Sequence, residues 1–460
     1  MNVSFNFRIP WLLVPLVISA LLSYKCIQPG HNWGGDFALY IEQSEAIIQG
    51  ELCELYELNK YSMDYSQYAV GPYLYPPVFP AMLIPIELWA GRNLMAMKWL
   101  CACCFLLGLF ICWKLFLNNK TSPAAAGILL SMMAFHSAWV TFTDQVLSDL
   151  PFLLFTMLAF YMAERTKNWI GHLLTGIVVL LAMFTRDAGI ALIPSLFVFQ
   201  WIKHRQAEAK GKSYSFAIVW IVVIIGYILL HELLPDGGAN HRQKLLDRIS
   251  WNVVATNLQD NFNMLKEYFT IHEIGMTVVL ALWLIGCCAY RKSHLHWIVF
   301  SATYLTIILI WPHFQGIRFL FPVIPFMLWF VLKGLEFILE RAHVHQNFSV
   351  VCLSLWMIWT ISNDLPRTSK HWSQGSNECL TNEVQKCYDW IKTQSSSAVI
   401  VGCNKPTVVR LFSGNNCILS DEDYFPKSKA DILFLPKYLA PQWKNAKVLF
   451  DSGNYVIIGR

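Results

Sequence analysis

Apolar residues along this chain fall into recurring blocks, at 9–24, 93–117, 124–142, 151–163, 169–185, 188–202, 216–234, 275–290, 295–311, 319–339 and 348–361. Many of these approach the ~20 residues that a helix needs to cross a bilayer, which predicts about eleven spans. The connections alternate in character. The segment 25–75 is too polar for lipid and rich in acid, with Asp36, Glu42, Glu45, Glu51, Glu54, Glu57 and Asp64. It runs into Gly71-Pro72-Tyr73-Leu74-Tyr75-Pro76-Pro77-Val78-Phe79-Pro80, whose prolines disfavour a straight span and whose rings suit an interface. A short helix lying along the membrane is therefore predicted over 76–89. The segment 235–274 reads as a long polar loop on the same side as Asp36.

From 363 onward the pattern changes. The segment 379–393 reads as an amphipathic helix, 398–401 and 431–435 as strands, and 447–459 as a hairpin turning at Asp451-Ser452-Gly453-Asn454. The chain thus divides into a membrane part, 1–362, and a small α/β domain, 363–460, whose expected role is cover or acceptor contact.

Composition agrees: 55% of the 460 residues are hydrophobic and 14% charged, against about 25% charged in soluble proteins. The net charge of +5 says less than its placement. Lys114, Lys120, Arg165, Lys167, the cluster from Lys203 to Lys212, Arg291, Lys292, Lys333 and Arg341 all fall in one set of loops, which by the positive-inside rule faces the cytoplasm. Making 76–89 a full span would invert every later loop. There is no Walker-type glycine loop and no HExxH, which argues against ATP-driven transport. No internal repeat shows. Seven of the 13 cysteines lie in apolar blocks, where they act as small hydrophobes; Cys26 and Cys53 flank the first loop, and Cys379, Cys387, Cys403 and Cys417 lie in the tail. Metal-ligand spacing is absent.

On this topology Asp36, Asp144 and Asp149, Arg186 and Asp187, and Gln315 and Arg318 converge on the outer surface, each at the end of an apolar block. Ionisable groups there usually face protein or a water-filled cavity. At helical spacing Asp36, Tyr40 and Gln43 share one face, so a carboxylate beside aromatic rings is a candidate general base. Arginine suits a lipid phosphate because its fork donates two hydrogen bonds at once. Each residue also has a plainer reading. Asp36 and Asp149 can be helix caps, Asp144 a solvated loop acid, Asp187 a partner of Arg186, His313 a structural histidine, and the arginines headgroup anchors.

The run Gly34-Gly35-Asp36-Phe37-Ala38-Leu39-Tyr40, followed by Gly71-Pro72 and Tyr75-Pro76-Pro77-Val78-Phe79-Pro80, resembles the opening of the GT-C superfamily of polytopic glycosyltransferases. The closest branch holds protein O-mannosyltransferases and the aminoarabinose transferase of lipid A. Ser148-Asp149-Leu150-Pro151-Phe152, Thr185-Arg186-Asp187-Ala188-Gly189 and Gln315-Gly316-Ile317-Arg318-Phe319 resemble three further signatures, in the family's order. The resemblance implies a sugar donor on a polyprenyl phosphate and inverting transfer to a hydroxyl of a lipid, glycan or protein at the outer membrane face. Asp36 would be the general base and Asp149 would line the site. Arg186 and Arg318 would hold the donor phosphate, and Tyr40, Tyr75, Gln315 and His313 would line the substrate pocket. It further implies a multi-pass protein of a bacterial inner membrane, with site and tail on the periplasmic side, surrounded by membrane lipids and without a nucleic-acid partner. Two departures stand out: Phe37 follows Asp36 where protein O-mannosyltransferases have an Asp-Glu pair, and their β-trefoil insertion is absent. No Asp-x-Asp motif occurs in the first outer loop, so a divalent metal is not indicated. The competing readings are a flippase or transporter of a lipid-linked sugar and a non-catalytic membrane subunit.

Overall fold

The computed structural model describes residues 8–68, 71–207, 217–232, 234–235, 250–312, 314–345, 347–374, 377–394, 399–442 and 447–459. His313, Lys210 and Lys212 lie outside the described residues, as does 236–249 of the expected long loop. All eleven apolar blocks contain helix: α1 (Arg8–Cys26), α5 (Leu94–Asn118), α6 (Pro123–Ala134) with α7 (Ser137–Phe142), α8 (Asp149–Arg165), α9 (Trp169–Met183), α10 (Leu192–Ala207), α11 (Ala217–Glu232), α13 (Glu273–Ile310), α14 (Ile324–Arg341) and α15 (Asn347–Gln374). Among the described residues four are long and apolar enough to cross a membrane, those at Ile9–Cys26, Leu94–Asn118, Glu273–Ile310 and Asn347–Trp372. This is a multi-pass membrane protein.

Three elements differ from expectation. The block 124–142 is not one helix. It breaks at Phe135 and His136, where the His136 ring caps α7 by accepting from the Ala138 amide (3.1 Å) and bonds the Tyr268 carbonyl through Nε2 (2.7 Å). Asp364 adds a bond to the Ser137 hydroxyl at 2.6 Å. The segment expected as loop at 235–274 contains a helix, α12 (Trp251–Phe269), capped by Ser250. Its polar residues hid it: Asn257 faces inward and donates to the carbonyls of Leu309 and Trp311. The last membrane helix, α15, continues unbroken to Gln374, so the expected boundary at 362/363 falls within it.

The expected turn near Arg291 lies inside α13, which loses helical geometry at His294. In a straight helix Gly286 and Phe300 would stand about 21 Å apart, at 1.5 Å per residue. Their partners on α14, Phe330 and Phe326, are only one turn apart. The chain therefore folds back at His294, and both arms pack on α14. The first arm comes so close that a Cβ on Gly286 would lie 2.0 Å from the Phe330 carbonyl oxygen, and one on Gly334 equally close to that of Leu282.

The turns expected inside meet at one end of the bundle. Asn119 donates to Glu164 and bonds His294, Glu164 accepts from the Trp297 indole (2.9 Å), and Lys203 donates to the carbonyls of Ala163 and Glu164. Asp149 stands at the opposite end of α8, about 22 Å away, among the residues expected outside. Polar groups are thus not confined to one end, but those at the far end bond to one another.

Over the Asp149 end lie α2 (Gly35–Gln49), α3 (Leu52–Asp64) and the predicted surface helix α4 (Val78–Ala90). Gly50, at φ 76°, ends α2 in the left-handed region that glycine favours. The tail follows: α16 (Asn382–Gln394), α17 (Pro406–Ser413), and a sheet of β1 (Val401–Cys403), β2 (Cys417–Leu419), β3 (Ile432–Pro436), β4 (Lys447–Asp451) and β5 (Tyr455–Gly459) in the order β2-β1-β3-β5-β4. β1 runs parallel to β2 and β3, with Cys403 opposite Leu419 and Phe434, while β5 runs antiparallel to β3 and β4. One face buries Val401, Phe434 and Ile457 under Val384, Tyr388 and Ile391 of α16.

The tail docks on α2 and α3. Arg410 of α17 forks onto Glu42, with Nε–Oε1 at 2.8 Å, and reaches Asn59 Oδ1 at 2.6 Å. Ser62 donates to the Cys417 carbonyl (2.6 Å), and Thr407 donates to the Gly35 carbonyl (3.2 Å).

Candidate active site

Helix α2 begins at Gly35 with Gly34 as its cap, so Asp36 is the second helical residue and not the cap. Its carboxylate is left for other partners. Tyr75 donates to Oδ1 at 2.8 Å and Arg318 Nη1 to Oδ2 at 3.0 Å. Tyr75 is itself held by Gln43, whose side-chain amide bonds both its backbone N–H (2.9 Å) and its carbonyl (2.8 Å). The Gly71–Pro80 turn and α2 are thereby locked together, and the Tyr40 and Tyr75 rings lie 4.4 Å apart.

The second pair sits alongside. Asp149 opens α8, with Ser148 as the cap; its side chain is buried and bonds Arg186. Arg186 is thus partnered by Asp149, not by Asp187. The Ser148 hydroxyl shares a 2.8 Å hydrogen bond with Tyr40, which ties α2, the helix of Asp36, to the residue before Asp149. Both guanidinium groups lie over the Phe319 ring, Arg186 at 4.8 Å and Arg318 at 5.7 Å. Gln315 accepts from the other arm of Arg318. Asp36, Tyr40, Tyr75, Asp149, Arg186, Gln315 and Arg318 therefore form one constellation. The second oxygen of Asp149 is buried with no hydrogen-bond partner among the described residues.

Charge follows from these contacts. Burial pushes the Asp36 carboxyl upward, but the Arg318 charge, the hydrogen bonds from Tyr75 and Arg318 and the Arg186 charge outweigh it, so its pKa lies below the ordinary carboxylate value. Burial and the neighbouring Asp36 charge hold Tyr75 well above the ordinary phenol. Asp36 is an anion at neutral pH and Tyr75 a neutral donor.

Sequence reading missed several neighbours. Asp144 is not a solvated loop acid. It is fully buried, 2.7 Å from the equally buried Lys98, and takes the Gln28 amide (2.8 Å) and His371 Nε2 (3.0 Å). Lys98 is a charge inside an apolar block, and that was the available signal. His31 stacks on Phe37 and accepts from the Val146 amide, and burial together with the Lys98 charge pushes its pKa down to about 4, so it stays neutral. A cavity of about 820 Å³ opens beside Asp36, Gln315 and Arg318. Its far wall comes from the end of α15 and from the tail, with Arg367, Lys370, His371, Glu378 and Lys405. Among the described residues no three His, Cys, Asp or Glu side chains gather as metal ligands.

The fold is that of the GT-C membrane proteins. The chain is similar to ArnT from Cupriavidus metallidurans bound to undecaprenyl phosphate, at 11% identity over 98% of each chain with a TM-score of 0.55. Apo ArnT from the same organism gives 12% identity, the same coverage and 0.57. The oligosaccharyltransferase of Archaeoglobus fulgidus, in complex with Zn and sulfate, gives 10% identity and 0.61, covering 92% of this chain and 68% of its own. No family model matches the sequence, and no curated protein does.

Proposed function

We propose that this protein is an inverting glycosyltransferase that moves a sugar from a polyprenyl-phosphate donor to an acceptor hydroxyl at the outer face of the membrane. One observation carries the reading: an ionised carboxylate, Asp36, stands at a cavity beside two arginines that share the Phe319 ring. In-line displacement at an anomeric carbon needs those parts. Asp36 takes the proton of the attacking hydroxyl as its oxygen bonds the anomeric carbon from the face opposite the phosphate. The bond from carbon to phosphate oxygen breaks, and its electron pair stays on the phosphate, where Arg318 and Arg186 stabilise the charge. Asp149, through its unpartnered oxygen, accepts a hydrogen bond from the donor sugar. No nucleotide is needed, because the leaving group is already a phosphate ester.

The donor itself prepares the base. Before it binds, Arg318 pairs with Asp36, and a carboxylate so stabilised is a weak base. An arriving phosphate engages Arg318 and adds negative charge beside Asp36, which raises its proton affinity. We further read the eleven apolar blocks as spans, the sheet-bearing tail as a small extracytoplasmic domain and the membrane as a bacterial inner membrane.

The test is incubation of purified protein with synthetic undecaprenyl-phosphate sugars. The expected result is release of undecaprenyl phosphate together with glycosylated product, abolished in D36N. A flippase or a structural subunit would leave the bond between sugar and phosphate intact with every donor.

A further inference from the structure

The cavity beside Asp36 has two unlike walls. The near wall holds the proposed base with Arg318 and Gln315, while Arg186 and Asp149 lie outside it. The donor phosphate is assigned to the two arginines, so the cavity is the space from which an acceptor hydroxyl reaches Asp36. Its volume of about 820 Å³ lies within the range of small-molecule sites. The far wall is cationic. Arg367 and Lys370 lie one turn apart near the end of α15, and Lys405 precedes α17. Against these three cations that wall offers the acid Glu378. Arg367 and Lys405 are exposed, and neither is buried in an ion pair as Lys98 is with Asp144. His371 is already committed to Asp144.

Resting on the transferase reading above, we infer that the acceptor carries an anionic group, a phosphate or a carboxylate, separate from the hydroxyl that attacks. Arg367 and Lys405 bind that group while the hydroxyl meets Asp36. The arrangement selects by charge as well as shape. An anionic acceptor draws charge-assisted hydrogen bonds from both cations and is steered into the cavity, whereas a neutral one draws none.

The probes are octyl glucoside, octyl glucuronide and octyl glucoside 6-phosphate, titrated against the full-length protein in dodecyl maltoside at low salt, with binding read by thermal shift. The two charged glycosides are expected to bind at least tenfold more tightly than the neutral one, and the Arg367→Gln/Lys405→Gln double variant is expected to lose that preference. Free glucose 6-phosphate separates the sources: competition equal to the octyl compound assigns a soluble acceptor, and weaker competition a membrane-anchored one. Equal binding of charged and neutral glycosides overturns the inference, as does a preference that survives in the double variant. Undecaprenyl phosphate is titrated in parallel. If the folded double variant loses it, the cationic wall belongs to the donor and the inference falls. If the wild type never binds it, the transferase reading falls while the anion preference of the cavity stands. Should the double variant not give a monodisperse protein, Lys405→Gln alone, at an exposed position, carries the same comparison.

Discussion

Asp36 and Arg318 are 282 positions apart in the chain and meet at 3.0 Å. One opens the first surface helix and the other lies in a short 3-10 turn, Gly316–Leu320, before α14. Their contact ties the beginning of the membrane part to its end and aims an ionised carboxylate at the cavity. Asp36 keeps 34% of its side chain exposed, so the pair sets orientation and protonation more than it sets stability.

Asp36→Asn keeps the volume and the Tyr75 contact but removes the proposed base. Turnover is expected to fall by about 10²–10⁴-fold, while undecaprenyl phosphate binds at least as tightly, because Arg318 is released from its partner. Single-turnover kinetics beside a thermal-shift titration check both halves. Donor affinity that collapses with turnover would make Asp36 a positioning residue.

The depressed pKa of Asp36 fixes the direction of the pH response. The reactive form is the anion, so activity is lost as pH falls through the folded pKa. In the free enzyme that limb lies below the ordinary carboxylate value, because Arg318 and Tyr75 favour the anion. In the donor complex the phosphate offsets Arg318, and the limb rises. The acidic limb of kcat is therefore expected at higher pH than that of kcat/KM, which reports the free enzyme. Tyr75→Phe removes one hydrogen bond to the anion and is expected to raise both limbs. Coincident limbs in the wild type would mean that the donor does not engage Arg318.

The order of polar motifs along the chain foretold that Asp36, Asp149, Arg186 and Arg318 share one end, because alternating spans leave them no other. It did not foretell the pairing. Asp36–Arg318 and Asp149–Arg186 depend on the 3-10 turns at Asp187–Ala191 and Gly316–Leu320, which bring both arginines to the Phe319 ring. Asp144 was misjudged because its loop neighbours are polar, and its partner Lys98 lies 46 residues earlier inside an apolar helix. Helix α12 was hidden by its inward-facing Asn257, which satisfies carbonyls at the end of α13. The break at His136 depends on Tyr268 and Asp364, both distant in sequence.

The partly buried Arg186 and the buried Asp149 form an ion pair, so each alone is worse than neither. Arg186→Met leaves an unpaired carboxylate, expected to cost about 3–5 kcal/mol, and Asp149→Leu strands the guanidinium at a similar cost. The double variant is expected to recover most of the stability while remaining inactive. A double-mutant cycle on unfolding in detergent measures the coupling. Additive losses would mean that the two groups do not depend on one another.

The tail acts on the site through Arg410. Its guanidinium is 6% exposed and forks onto Glu42, six residues after Asp36 on α2, while the same Nη2 that bonds Glu42 also donates to Asn59 on α3. The same helix α17 reaches the Gly35 carbonyl through Thr407, one residue before Asp36. Two contacts thus hold α2 against the tail, one before Asp36 and one after it. Arg410→Lys keeps the charge but cannot reproduce the fork, and Arg410→Ala also leaves Glu42 without its cation. Both variants are expected to speed hydrogen exchange over 36–43, Ala more than Lys, and to lower turnover by on the order of 10–100-fold, the scale of a displacement near 1 Å. Because neither residue touches the arginines at the donor phosphate, undecaprenyl phosphate affinity should change far less than turnover. Equal losses in both would place the effect in global stability, whereas faster exchange over 36–43 with turnover unchanged would show that the tail covers α2 without setting the position of Asp36.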